Sequence, residues 1–473
     1  MKRITSIKRL AILALNAFSL VLYAGLYAYS WFHYYYPVVN NNNLGIKLFL
    51  NGHILVILMY LTVLGFLSRT YGSLKIGYLK PGDVIFSQAF SLLAVNVFAY
   101  FQISLMNNWI VEVRPMAYVF MGQIAIAVGW AFLCDFVYKK LFPPRNTLLV
   151  YGMRPIEDIE VKFSSRKDRF HITKSIHISA DGASGDEVSV DEPSVDGVSA
   201  DRISAGIAAV KKEAGNAYGA VVLWDIPSDA RNHLIKYFYS QSIRVYMMPK
   251  ITDVLIKGSA QLHLFDTPVF LTREYALTIE QRITKRLFDI SLSLPLIMIT
   301  SPLMLITALI IRISDKGPAL YRQVRCTAGG KEFNIIKFRS MMINAESDGI
   351  ARLAGRRDER ITPFGRFIRA VRIDELPQLF NILAGDMSFI GPRPERPEII
   401  ARYIEQMPEF SYRLKMKAGL GGYAQVYGKY NTTPYDKLKL DLTYIENYTL
   451  WLDVKLMILT IKTIFKPDSA EGI

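Results

Sequence analysis

Residues 366–394 read RFIRAVRIDELPQLFNILAGDMSFIGPRP, and this stretch concentrates the chain's reactive side chains. Asp374 and Glu375 stand side by side, with Arg366, Arg369 and Arg372 before them and Arg393 after them. Lys337 and Arg339 bring two more cations from a segment upstream. Arginine presents forked donors that suit a diphosphate. Two carboxylates set among such cations either hold a divalent metal or attack phosphorus. A helix predicted to begin near Asp374 and to end at Gly385 would add free backbone N–H groups and the positive end of its dipole, both suited to phosphate. The sequence DELP is also an ordinary helix start, with early acidic residues and a proline in the first turn. The flanking arginines and the rigid Gly-Pro-Arg-Pro turn favour the chemical reading.

These groups sit in a chain of 473 residues that is 51% hydrophobic and 12% aromatic, with a formal net charge of +15. Four runs, near residues 10–32, 46–68, 84–106 and 115–138, are apolar over roughly the 20 residues a membrane-spanning helix needs. The first is too long for a signal peptide and lacks a small-residue cleavage site. Basic residues fall to one side. Lys2, Arg3, Lys8 and Arg9 precede the first run, Arg69, Lys75 and Lys80 follow the second, and Lys139, Lys140 and Arg145 follow the fourth. Residues 33–45 contain neither Lys nor Arg. The positive-inside rule then predicts a multi-pass membrane protein, its N-terminus and everything after the fourth run cytoplasmic. Tyr29, Trp31, Tyr34, Tyr35 and Tyr36 suit an outer interfacial belt. Inner-leaflet lipids account for the excess positive charge, and no nucleic-acid-binding motif is present. Cys134 and Cys326 are expected to be reduced, and no His/Cys cluster has zinc spacing.

Residues 146–275 read as a small Rossmann-like α/β domain after a four-helix transmembrane bundle at 1–145. Strands are predicted at 147–151, 221–225 and 245–249, and helices near 200–214 and 228–241. Gly152 follows the first strand, but Gly-Met-Arg-Pro is not a G-x-G-x-x-G turn, so nucleotide binding and a purely structural or regulatory role both stay open. The acidic, Ser/Gly-rich segment 180–201 reads as a mobile solvated loop. Residues 276–473 then form a mainly helical domain that carries the reactive stretch. It opens with an apolar segment, 290–311, flanked on both sides by basic residues (Arg282, Lys285, Arg286; Arg312, Lys316, Arg322, Arg325). Ser301-Pro302 at its middle predicts a kink. A re-entrant helix over about 284–312, entering and leaving by one leaflet, satisfies both features, with the Ser301 hydroxyl as one cover for the freed carbonyl. A proline-kinked span is the alternative. Residues 318–326 and 331–339 then read as a small β-hairpin around Gly329-Gly330.

In this order KRLFD (285–289), SP (301–302), KFRSM (337–341), RxxxxDELPQLFN (369–381), GDMS (385–388) and GPRP (391–394) resemble the bacterial sugar transferases, polyisoprenyl-phosphate hexose-1-phosphate transferases of the monotopic type. The resemblance runs over about residues 282–470. Four preceding spans and a Rossmann-like middle domain resemble the family's large members, which start exopolysaccharide, capsule or O-antigen repeat units. It implies transfer of sugar-1-phosphate from a UDP-sugar, with glucose or galactose expected before N-acetylated sugars, to undecaprenyl phosphate, with UMP released. By position it makes Asp374 the nucleophile and Glu375 the partner carboxylate at Mg²⁺. Arg369, Arg372, Arg393, Lys337 and Arg339 become substrate-binding cations. Lys285, Arg286 and Asp289 fall at the start of the re-entrant helix and are counted with the substrate contacts, and Ser301 and Pro302 mark its break. The cations are expected to keep Asp374 ionised.

Further along, Gly421 departs from the family pattern and is expected to loosen its loop. Lys437, Lys439, Lys455, Lys462 and Trp451 are expected against the inner leaflet. A homodimer is expected from the family's large members. Two other readings compete: an idle membrane scaffold for polysaccharide-assembly enzymes, and a middle domain that senses nucleotide.

Overall fold

The computed structural model describes residues 2–40, 50–164, 166–178, 198–214, 218–272, 276–315, 317–342, 358, 360–428 and 432–464. They fall into two compact units, Met1–Pro249 and Lys250–Ile473.

In the first unit, α1 (Lys2–Ser30) runs on through a π-helical stretch, Trp31–Tyr35, and a short helix, Tyr36–Asn40. It packs with α2 (Leu50–Tyr71), α3 (Pro81–Asn107) and α4 (Arg114–Leu141). All four are long and apolar enough to cross a membrane, as is a fifth helix in the second unit, so the chain is a helical, membrane-type protein with sheets added. Tyr23, Tyr27, Trp31 and Tyr35 recur every four residues on α1 and are buried, the spacing of one helix face. Tyr27 stacks on Tyr60 with ring centroids 3.9 Å apart. The polar groups inside pair with one another: Tyr60 Oη donates to Asn96 Oδ1 (2.8 Å), Asn96 Nδ2 to Gln123 Oε1 (2.7 Å) and Gln123 Nε2 to Tyr23 O (3.0 Å). Such bonds tie all four helices together where no water competes.

The same unit continues into a parallel sheet, ordered β2-β1-β3-β4, from β1 (Arg145–Tyr151), β2 (Phe170–His177), β3 (Ala220–Trp224) and β4 (Arg244–Met247). Interleaved are α5 (Ile156–Ser164), α6 (Val198–Ala214) and α7 (Ser228–Ser240). Central strands buried on both faces need unbroken apolar runs, which Leu148–Val150 and Val221–Leu223 supply. β1, β3, β4, α6 and α7 lie where the sequence placed them; β2 was not anticipated, because FHITKSIH carries polar residues along an edge. Gly152 is explained by packing: a Cβ there would meet Asp225 O at 2.3 Å. Of the acidic segment, 180–197 lies outside the described residues, and 198–201 begin α6 rather than a loop.

Two boundaries differ from expectation. The bundle and the sheet belong to one unit; Arg166 donates to Gly77 O at 2.9 Å and to Tyr78 O, joining the turn before β2 to the α2–α3 loop. The division falls after Pro249 rather than at 275/276. The reason is α8 (Ile251–Gly258), whose Ile251 and Val254 are buried in one core with Leu438 and Leu442 of the second unit.

That second unit contains the hairpin β5 (Ala260–Leu264)–β6 (Thr267–Leu271) and the 37-residue helix α9 (Ile279–Asp315). Helical geometry continues through Ser301 and Pro302, so the expected break is not an interruption. Proline at 302 removes one bond, to Met298 O, and Ser301 Oγ donates to that carbonyl at 2.9 Å. Lys316 lies outside the described residues.

The start of α9 is fastened by charge. Lys285 Nζ lies 2.5 Å from Asp453 Oδ2, and Tyr444 Oη donates to Asp453 Oδ1 at 2.6 Å. Both ions are almost fully buried, at 5% and 1% side-chain exposure. Removing one partner strands the other charge, which costs about 3–5 kcal/mol, whereas replacing both by apolar side chains is roughly neutral. Lys285→Met is therefore expected to lower the thermal midpoint in detergent, and Lys285→Met/Asp453→Leu to recover most of the loss. Equal destabilisation by single and double variants would contradict the pairing.

Candidate active site

Three pieces of chain meet around Asp374 and Glu375. The first is the antiparallel hairpin β7 (Leu320–Cys326)–β8 (Glu332–Phe338), closed by Gly329 and Gly330, both at positive φ. Its register pairs Tyr321 with Lys337 and Arg325 with Phe333, so Arg325, Ile335 and Lys337 share one face. The second is the reactive stretch itself. Helix α10 (Pro363–Ala370) stops, and Arg372 takes a left-handed conformation, φ 60°, ψ 21°. A 3₁₀ turn, Ile373–Glu375, follows, and only then α11 (Gln378–Ala384), which Gly385 ends at φ 95°. The third is β9 (Ser388–Ile390) with the Gly391–Pro394 turn.

The expected single helix from Asp374 is thus replaced by a turn and a separate seven-residue helix. Glu375 and Leu376 spend their N–H groups on Arg372 O and Ile373 O. A non-glycine residue at positive φ is sparsely populated and clusters at functional sites. Here it turns the chain immediately before the two carboxylates.

Side chains lock these pieces in register. Asn381 Nδ2 donates to Asn334 O (2.8 Å) and Asn381 Oδ1 accepts from Ile336 N (3.0 Å), stapling α11 to β8 beside Lys337. β9 pairs in parallel with β10 (Gly419–Gly421), and Gly391 N donates to Gly421 O at 2.9 Å. A Cβ on Gly391 would meet Lys417 O at 2.2 Å, so the Arg393 turn is seated by backbone on backbone. Gly421 does not loosen its loop. It is buried in β10, where a Cβ would meet Thr460 Oγ1 at 2.8 Å.

Glu375 stands inside a ring of cations. Arg372 Nη1 is 3.5 Å from Oε2, while Arg393 Nη2 and Lys337 Nζ are 3.6 and 3.7 Å from Oε1. Burial opposes its ionisation, but Lys337, Arg393 and Arg372 outweigh that and hold its carboxyl below the usual range. Asp374 behaves oppositely. Burial and the charge of Glu375 push its carboxyl up to about 6, against the pull of Lys337, Arg369 and Arg372. The cations pull the carboxyl down as expected, but burial and Glu375 outweigh them, so the net shift is upward while Asp374 stays mostly ionised at neutral pH. Lys337 is itself pushed down, first by burial, with Arg393 and Arg325 adding to the effect.

A pocket of about 20 Å³, room for about one water, adjoins Glu375, lined also by Arg325, Lys337, Gln378, Arg393 and Leu420 among others. Arg325 and Gln378 were not singled out in the sequence. Gln378 is 3% exposed, and its Nε2 has no hydrogen-bond partner among the described residues. A buried donor facing such a pocket is left for a ligand. Its signal was its position one turn after the carboxylates; that of Arg325 was the hairpin's alternation.

Other expected site residues lie elsewhere. Lys285 serves Asp453 and Tyr444. Arg286 donates to Ile382 O and Leu383 O at 2.7 Å, capping the C-terminus of α11. Asp289 Oδ1 accepts from Ser388 Oγ and Phe389 N at 3.0 and 3.1 Å. These three bonds fasten α9 to the core of the second unit. Arg339 is buried after β8, its N–H bonded to Ala319 O. Arg369 is half-buried, its Nη1 without a partner among the described residues, and Arg366 is exposed. Among the supposed leaflet residues, Lys439 is instead buried against Asp436 (2.8 Å) and the Tyr435 ring, while Trp451 is exposed.

For a metal, no group of three or more His, Cys, Asp or Glu side chains converges among the described residues. Mg²⁺ commonly takes only one or two carboxylates, with substrate phosphates and water completing its shell. The pair fits that pattern. The cations stand 3.5–3.7 Å from Glu375, beyond a charge-assisted bond of about 2.7–2.9 Å, so its oxygens are not tightly claimed.

Comparison with known proteins agrees with this geometry. Residues 280–467 match the family model described as bacterial sugar transferase. A UDP-N-acetylgalactosamine-undecaprenyl-phosphate N-acetylgalactosaminephosphotransferase of Aeromonas hydrophila is 44% identical over 183 residues, 38% of this chain and 43% of that protein. A UDP-glucose:undecaprenyl-phosphate glucose-1-phosphate transferase of Caulobacter vibrioides is 38% identical over 191 residues, 39% of this chain and 71% of that protein. An undecaprenyl-phosphate galactose phosphotransferase of Salmonella typhimurium is 40% identical over 205 residues, 40% of this chain and 42% of that protein. The match thus spans less than half the length of the first and third relatives but most of the second. With the model matched through the carboxylate pair and the GPRP turn, this chain belongs to the bacterial sugar transferase family.

Proposed function

We propose that this protein transfers sugar-1-phosphate from a UDP-sugar to undecaprenyl phosphate, the first step of an exopolysaccharide, capsule or O-antigen pathway. The observation that carries the reading is the adjacent carboxylate pair, with Lys337, Arg372 and Arg393 all within 3.7 Å of Glu375. Three relatives bear names that specify transfer of glucose, galactose or N-acetylgalactosamine phosphate to undecaprenyl phosphate. For this chain we take glucose or galactose first.

In the proposed reaction Asp374, once ionised, attacks the sugar-bearing phosphorus. The bond from that phosphorus to the bridging oxygen breaks, UMP leaves with the electron pair, and a phosphosugar-aspartyl ester remains. An oxygen of undecaprenyl phosphate then attacks the same phosphorus, releasing the Asp374 carboxylate and giving undecaprenyl-diphosphate-sugar. The covalent stage lets the soluble product depart before the lipid enters the same small site. Lys337, Arg372 and Arg393 would neutralise the phosphate oxygens and so lessen their repulsion of the attacking carboxylate. Glu375, next to Asp374, would hold Mg²⁺, which supplies Lewis-acid stabilisation of the diphosphate when bound.

The same reading sets the protein in a bacterial cytoplasmic membrane with α1–α4 as spans, a Rossmann-like cytoplasmic sheet and two copies pairing. α9 would enter and leave by the inner leaflet. Supporting this, its early part is tied to Asp453 and Ser388, while Met304 and Ile311 further along pack with Phe338 and Ile368, next to the catalytic hairpin.

Membranes given undecaprenyl phosphate and a panel of UDP-sugars are expected to release UMP and form a lipid product with glucose or galactose. Asp374→Asn should lower that rate at least 1,000-fold on the general scale of losing a nucleophile, ~4 kcal/mol; an active variant would sink the assignment. A second test needs no turnover. Carbodiimide modifies protonated carboxyls, so labelling of Asp374 in metal-free protein should fall as pH rises through about 6. Glu375→Gln removes the neighbouring negative charge and should move that fall to lower pH. A wild-type midpoint near 4, or no movement in the variant, would contradict the electrostatic account.

A further inference from the structure

The first unit contains a cavity of about 330 Å³ that the transfer reaction does not use. Its floor is formed by the leading ends of β1, β3 and β4 at Arg145, Ala220 and Arg244, with Phe170 of β2. The α2–α3 loop contributes Lys75 and Tyr78, and the end of α4 contributes Tyr138 and Phe142. In a parallel α/β sheet, nucleotides bind beyond the carboxyl ends of the strands. This cavity is at the opposite ends, and Gly152 is not part of it.

Four cations, Lys75, Arg145, Arg169 and Arg244, line this space. None of them has a carboxylate within ion-pair distance among the described residues. Asp168 is the one acidic lining residue, and it is already committed: Arg166 Nε and Nη2 hold its two oxygens at 3.0 and 2.9 Å. Arg166 also fixes the α2–α3 loop through Gly77 O. Arg169 is held over the Tyr78 ring, 4.3 Å from its centroid, which orients the guanidinium. The remaining walls are apolar and aromatic, from Ile12, Leu74, Ile76 and Phe142. Convergent forked donors with no internal counter-charge recognise phosphate oxygens, and a cavity of this volume accepts a small ligand.

We propose that this cavity binds a phosphate ester. Two sources share that chemistry: the headgroup of an anionic phospholipid, with its glycerol end against the apolar wall, or a soluble phosphate ester. The lipid source rests on the inner-leaflet placement of Lys75 and Arg145 given above, because basic pockets at the cytoplasmic ends of spans collect anionic headgroups. Either occupant would bridge the α2–α3 loop to the sheet.

The test uses the full chain in detergent and reads binding, not UMP release, so it fails or succeeds independently of the transfer reaction. Native mass spectrometry would compare retention of phosphatidylglycerol and phosphatidylcholine; calorimetry would use glycerol 1-phosphate as the soluble probe. Wild type is expected to bind phosphatidylglycerol or glycerol 1-phosphate, and Arg145→Gln/Arg244→Gln to weaken that at least tenfold. Lys212→Gln/Lys236→Gln, which removes two exposed cations of the same unit, should leave it unchanged. Binding of both probes marks a soluble ester as a competent occupant, and binding of the lipid alone marks the headgroup. In case the arginine variant folds poorly, phenylglyoxal mapping on wild type asks whether the bound probe protects Arg145, Arg169 and Arg244. Absence of binding by wild type, undiminished binding by a folded arginine variant, or no protection would overturn the proposal.

Discussion

The arrangement depends on keeping one carboxylate charged so that its neighbour becomes different from it. Glu375 is ionised because Lys337, Arg372 and Arg393 surround it within 3.7 Å. Its charge, together with burial, lifts Asp374 to about 6. Two adjacent carboxyls, chemically almost alike, are thereby given different protonation behaviour by their surroundings. A group that ionises near neutral pH retains more basicity, and hence more nucleophilicity, than one held well below its usual range.

Holding that ring requires elements distant in sequence to keep a few ångström of register. Asn381 fastens α11 to β8, the left-handed Arg372 turns the chain before the pair, and Gly391 lets the Arg393 turn lie on the backbone of 417–421. Behind these, α9 is pinned by Lys285 to Asp453, by Arg286 to the last carbonyls of α11, and by Asp289 to β9. Each bond joins the apolar helix to an element that carries or supports the site.

Much of this was legible where one local rule dominates. The hairpin followed from alternating side chains and a Gly-Gly turn, and β1 and β3 from unbroken apolar runs. The carboxylates with Lys337, Arg372 and Arg393 were found by residue type. Reading failed where tertiary contacts override local signal. The partners of Lys285, Arg286 and Asp289 lie 96 to 168 positions away and gave no local signal. Ile251 and Val254 resemble any amphipathic turn until α12 (Pro434–Glu446) covers them, which moved the unit boundary. The direction of the Asp374 shift was not legible, because counting nearby cations omits burial and the like charge next door. Gln378 gave no sign beyond its place after Pro377, since an unpartnered donor is visible only in three dimensions.

The division of labour between the two carboxylates is tested most directly by locating the covalent intermediate. The protein would be incubated with Mg²⁺ and UDP-sugar in the absence of lipid acceptor, digested, and the peptide containing residues 373–384 analysed by mass spectrometry. The account predicts a sugar-phosphate adduct on Asp374, present in wild type and absent from Asp374→Asn. An adduct on Glu375, or lipid product formed with no adduct at either carboxylate under rapid quench, would contradict it.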